Sequence, residues 1–191
     1  MRASTGGLTK ASLDAAYEPQ NPNLVCATDD TRIASGAAAV TTLSAAYGAR
    51  VVIPKAGTLT DLAIYVGTSS GNVDVGVFDT APTTRTKLYS TGSMACPAGG
   101  AWTVVGNPAL AVNQGDQLDL VLACDNTTAT FLRLTAVAGA AQLPANFWPS
   151  PVGGLPFVYW IKSSAFPLPA TIAENTLGGT SFIPMVIARV V

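Results

Sequence analysis

The chain contains no histidine. That removes the Ser-His-Asp and Cys-His nucleophile systems and every imidazole metal site from consideration. Gly67-Thr68-Ser69-Ser70-Gly71 fits the Gly-x-Ser-x-Gly spacing of a hydrolase elbow. An elbow needs a strand-to-helix turn and a later histidine, so these residues read as a turn. Two carboxylates can hydrolyse a glycoside without histidine, but Glu18 and Glu174 are the only glutamates and both sit in irregular stretches. Asp74 and Asp79 have opposite strand parity and should face opposite ways. Asp116 and Asp119 flank the start of a strand and read as turn and solvent-face residues. Asp125-Asn126 offers hard oxygens for calcium, yet no local loop supplies the six or more ligands required; an Asx turn accounts for the pair. Cys26, Cys96 and Cys124 fit neither a zinc spacing nor a disulfide scaffold and read as small buried hydrophobes. The expectation is a non-enzymatic protein with no cofactor, no metal and no catalytic residues.

The remaining chemistry is aromatic. Phe147, Trp148, Phe157, Tyr159, Trp160 and Phe166 share the stretch 143–169 with six prolines. Such a stretch can be a stiff recognition loop or a long connection packed over the end of a domain. On the first reading Phe147, Trp148, Tyr159 and Trp160 are the candidate contacts to a glycan, a receptor or a neighbouring subunit.

These residues must be positioned by β-structure. Leu62–Val66 and Val73–Val77 alternate as half-buried strands do, with Ser69-Ser70-Gly71-Asn72 between them, and predict a hairpin. Further strands are expected near 87–90, 102–105, 118–123 and 130–134, with a short one at 157–161. The closing run 182–191 reads as a last strand, with Pro184 at an edge or bulge. Arg85 and Lys87 read as a solvated turn. No segment of the core carries a helical stripe. Short strands separated by frequent turn signals predict an all-β fold, an antiparallel, jelly-roll-like β-sandwich over 37–191. Residues 1–36 lack periodicity and read as an extended N-terminal arm, which either tethers one subunit to another or lies as a strand on its own domain.

Composition limits the partners. Of 191 residues, 49% are hydrophobic and 11% charged, with a net charge of −1 and a mean hydropathy of +0.38. A compact monomer of this mass exposes roughly 8,500 Å², so its charges are spread thinly and its surface invites association. No basic cluster suits nucleic acid. No apolar run approaches the ~20 residues of a membrane-spanning helix, and the N-terminus lacks a signal pattern.

The runs Gly57–Leu62 and Gly71–Phe78 and the stretches Thr91-Gly92-Ser93, Ala101–Val104, Gly115-Asp116-Gln117 and Asp125-Asn126-Thr127 resemble jelly-roll modules of tailed-bacteriophage virion proteins. Minor tail, fibre and capsid-decoration proteins are among them. The resemblance spans about 50–134. It implies a virion protein assembled in the host cytoplasm, forming homo-oligomers (trimers favoured) and using its termini to attach to other virion proteins. It carries no catalytic residue. The alternative expectation is a carbohydrate- or receptor-binding module that holds a host surface glycan.

Overall fold

The computed structural model describes residues 24–26, 37–135, 159–179 and 182–191. They form sixteen strands: β1 (Leu24–Cys26), β2 (Ala37–Ala39), β3 (Ala45–Val52), β4 (Gly57–Val66), β5 (Asn72–Phe78), β6 (Thr84–Ser90), β7 (Met94–Ala95), β8 (Ala101–Gly106), β9 (Leu110–Val112), β10 (Gln117–Cys124), β11 (Thr130–Thr135), β12 (Tyr159–Lys162), β13 (Thr171–Ala173), β14 (Gly178–Gly179), β15 (Phe182–Pro184) and β16 (Val186–Val190). A single 3-10 turn, Glu174–Thr176, is the one helical element among the described residues. The pairings are antiparallel and make two sheets, so the protein is an all-β antiparallel sandwich.

Sheet I runs β1-β16-β4-β11-β15, with β8 and β9 also on β4 and β2 on β11. Sheet II runs β13-β6-β5-β10-β3-β12-β14, with β7 on β5. The main core lies between them. Leu59, Leu62, Ile64 and Val66 of β4 and Val186, Ala188 and Val190 of β16 meet Val73, Val75 and Val77 of β5 and Leu118, Leu120 and Leu122 of β10. Period-two alternation puts each of these sets on one face of its strand. Cys96 and Cys124 are free thiols inside this core, and burial pushes the Cys124 thiol up from its ordinary value. No described helix is long and apolar enough to cross a membrane.

The expected hairpin between 62–66 and 73–77 does not form. β4 lies in sheet I and β5 in sheet II, so residues 67–71 carry the chain from one sheet to the other. A five-residue link can do either, and alternation looks the same whether the next strand lies beside the last one or across the core. The closing run is broken at Met185: β15 pairs with β11, and β16 with β4 and β1. Of the proposed arm, Leu24–Cys26 is a strand on the edge of its own domain's sheet, paired with β16; the rest lies outside the described residues.

Sheet II has a second buried face. Its outermost strands, β13 and β14, are joined by only Glu174–Leu177. Such a link reaches about 18 Å, whereas a flat sheet of seven strands would hold its edges roughly 29 Å apart. Sheet II therefore curls, and its concave side, turned away from sheet I, closes over a smaller core of Ala46, Phe78, Val121, Ala123, Trp160, Ala165, Leu168 and Ile172. The segment 163–170 crosses this concave side as a strap. Two glycines make room for it and for the neighbouring ring. A Cβ on Gly76 would stand 2.7 Å from Leu168 Cδ1, and one on Gly48 would stand 2.1 Å from the Trp160 ring.

Candidate functional site

The polar side chains of the concave face form one network. Asp119, on β10, points away from the main core because it alternates with Leu118 and Leu120. Its register partners are Arg50 on β3 and Phe78 on β5. Arg50 Nε donates to Asp119 Oδ1 at 3.2 Å, Arg85 Nη1 donates to Oδ2, and Trp160 Nε1 donates to Oδ2 at 3.0 Å. The Arg85 guanidinium lies 5.2 Å from the centre of the Trp160 ring, close enough for cation–π attraction. Its Nε donates to Glu174 Oε2 at 2.7 Å. Nη2 is 2.7 Å from the same oxygen and has no hydrogen bond of its own. Burial lowers Arg85 to about 10, against the pull of Glu174 upward, and burial lowers Arg50 in the same sense. Arg85 stays charged at neutral pH.

Asp74, also buried, serves the strap. Its Oδ1 accepts from Ser90 at 2.7 Å and from Thr91 at 3.2 Å, and its Oδ2 accepts from the Leu168 backbone N–H at 2.9 Å. Lys87 Nζ donates to the Leu168 carbonyl at 2.7 Å. Two sequence expectations are corrected here. Arg85 is not in a solvated turn but buried in β6, and Asp119 is not on a solvent face. Both are covered because the strap and the curl of sheet II keep water from a face that the strand pattern alone leaves open. With its oxygens taken by three donors and no exposed surface, Asp119 is not available to a substrate.

Trp160 belongs to this network, so it is corrected as well. Its side chain is 0% exposed and its one polar atom is bonded to Asp119, so it is a core residue and not a stacking platform. Tyr159 is placed by its backbone in β12, opposite Ala49; its side chain lies outside the described residues, as do Phe147 and Trp148. Among the described residues no group of three or more Asp, Glu or Cys side chains is placed to hold a metal.

The Asp125-Asn126 pair is an Asx turn. Asn126 Oδ1 accepts from the N–H groups of Thr128 and Ala129, both at 2.9 Å. The same pair holds the sheet-to-sheet link. Asp125 Oδ1 accepts from the Asn72 N–H at 2.9 Å, Oδ2 from Asn72 Nδ2 at 2.8 Å, and Asn126 Nδ2 donates to the Ser70 carbonyl at 2.9 Å. Gly71 is required between them: its φ is +59°, and a Cβ there would stand 2.1 Å from Asn126 Nδ2.

The accessible aromatic surface is elsewhere, on the outer face of sheet I. Trp102 on β8 is 42% exposed and Val104 is 63% exposed. Trp102 stands opposite Tyr65 and Val104 opposite Ala63, and the Tyr65 and Trp102 rings meet edge to face at 5.9 Å. Further down the same face, Asp61 pairs with Arg189 of β16. Period-two parity puts Trp102 and Val104 on one side of β8, but only the position of the second sheet tells which side is wet. No protein-family model matches the chain, and no curated protein is detectably similar to it.

Proposed function

We propose that this chain is a non-enzymatic structural subunit of a tailed-bacteriophage particle, of the capsid-decoration, minor-tail or fibre kind. It acts by associating with copies of itself and attaching to other virion proteins. The observation that carries the reading is the poverty of charge on the surface. The chain has 10 basic and 11 acidic residues for an accessible area of 10188 Å², and Asp74, Arg85 and Asp119 are withdrawn into the interior. The same surface exposes Leu43, Val52, Leu88 and Val191. A surface so lightly charged is favoured where neighbouring subunits cover it. Sandwich sheets also leave strand edges, which a symmetric assembly can cover.

Light scattering coupled to size exclusion tests this on the full-length chain. A discrete oligomer, with a trimer favoured, is the expected result. A well-behaved monomer at all attainable concentrations would remove the basis for the reading.

A further inference from the structure

The outer face of sheet I carries more than an apolar strip, and the geometry points to a binding site for a neutral oligosaccharide built from Trp102, Tyr65, Asp61 and Arg189. The site stands apart from the question of whether the chain belongs to a phage particle.

Three strands lay it out. Tyr65, Ala63 and Asp61 alternate along β4 on the outward side, with Trp102 and Val104 opposite them on β8 and Ile187 and Arg189 opposite them on β16. Trp102 and Tyr65 stand at one end. The Asp61–Arg189 pair stands at the other, four residues along the strand or about 13 Å away. Between them Ala63 has a side chain too short to interrupt the surface. The result is an open platform with an aromatic end, an aliphatic middle of Val104, Ala63 and Ile187, and a charged polar end.

Each part matches a feature of a sugar. A pyranose presents a face of C–H groups that covers an indole, and the Trp102 ring is braced by an edge-to-face contact with Tyr65. Sugar hydroxyls need both acceptors and donors. Asp61 Oδ2 receives Arg189 and the Thr60 hydroxyl, whereas Oδ1 has no hydrogen bond among the described residues. Arg189 is 53% exposed, and its guanidinium has more N–H groups than the one contact to Asp61 uses. A carboxylate oxygen beside guanidinium donors is the pairing that grips neighbouring hydroxyls. The charges of Asp61 and Arg189 offset each other, so this end of the platform carries no net charge to select an acidic or a basic sugar, and the ligand is neutral.

A second copy of the chain fits this face less well. A stable protein contact covers about 800 Å² on each partner. Trp102, Val104 and Val191, the last paired with Thr58 at the far end of β4, are the large hydrophobic side chains exposed on this face among the described residues, and three such side chains offer a few hundred Å² at most.

The full-length chain titrated calorimetrically with maltose, cellobiose, lactose, mannobiose and diacetylchitobiose tests the site. At least one of these is expected to bind and to shift the tryptophan fluorescence. Trp102→Ala weakens that binding by about tenfold or more, and Asp61→Ala weakens it measurably, both with the thermal midpoint unchanged because the residues lie at the surface. Leu88→Ala, elsewhere on the surface, leaves it intact. Absence of binding by every sugar of the panel overturns the inference, and so does a Trp102→Ala variant that binds as the parent does. A Trp102→Ala variant whose mass in solution falls while sugar binding stays the same overturns it in favour of a second copy on this face.

Discussion

Three donors converge on the Asp119 carboxylate, and that convergence lets a charge persist without solvent. A buried ion pair contributes little net stability when compared with well-packed apolar residues, because desolvation offsets most of the attraction, but removing one partner strands the other. Asp119→Ala would leave Arg85 buried with Glu174 as its one directly bonded counter-charge and would leave the Trp160 N–H unpartnered. We expect a loss of about 3–5 kcal/mol in unfolding free energy, a large share of what holds a domain of this size together. The double variant Asp119→Leu, Arg85→Met should recover much of that loss, since it removes both charges and fills their volume. Urea midpoints of parent, single and double variants measure this. A double variant no more stable than Asp119→Ala would show that the network supplies net stabilisation and not merely mutual satisfaction. Neither residue was legible as buried. A charge at an alternating strand position reads as solvent-facing, and what covers this face arrives some 50 residues later in the chain, in the strap.

At the scale of elements, the sheet-to-sheet link 67–71 decides the architecture, and it is held from a distance by Asp125. Slight burial raises the Asp125 carboxyl, but hydrogen bonds from the Asn72 N–H and from the side-chain amides of Asn126 and Asn72 outweigh this and hold it below its usual value. A carboxyl whose pKa falls on folding adds stability above its unfolded value, near 3.9. That stability is lost as pH drops through the lower, folded value. Asp125→Asn cannot titrate, so the gap in stability between parent and variant should be widest near neutral pH and should close as pH falls below about 4. Chemical denaturation at neutral pH and at acid pH checks this; a gap that does not change with pH would mean that the carboxylate charge contributes nothing to the link. The strands themselves were largely readable: 118–123, 130–134 and 102–105 fall within β10, β11 and β8. β3 carries no strand signal of its own, because Ala45-Ala46-Tyr47-Gly48-Ala49 has no β-branched residue and no alternation. Both faces of β3 are buried, and Gly48 is there to admit the Trp160 ring. The partner of each strand was not readable, since alternation fixes the buried face of a strand and not its neighbour.

Taken whole, the molecule is two cores sharing one sheet, and both are assembled from Val40 onward. The only described part of the N-terminal 36 residues is β1, which adds a strand to the edge of sheet I beside β16. β1 is thus an edge cover on its own domain, and every described core residue lies outside it. A chain of residues 37–191 should therefore still fold and unfold cooperatively. Its edge, however, would change. Val186–Val190 would present unpaired N–H and C=O groups on one side, in a strand whose only charge is Arg189. Bare edges of that kind pair with whatever edge they meet, and head-to-tail pairing onto a different edge builds an open series wherever its rotation does not close a ring. The expected outcome is a folded chain that has exchanged a discrete mass for a concentration-dependent series of larger species, read by light scattering beside the full-length protein. Identical mass distributions for the two chains would show that β1 protects nothing. Loss of cooperative unfolding in 37–191 would show instead that the edge strand is part of the main core's stability.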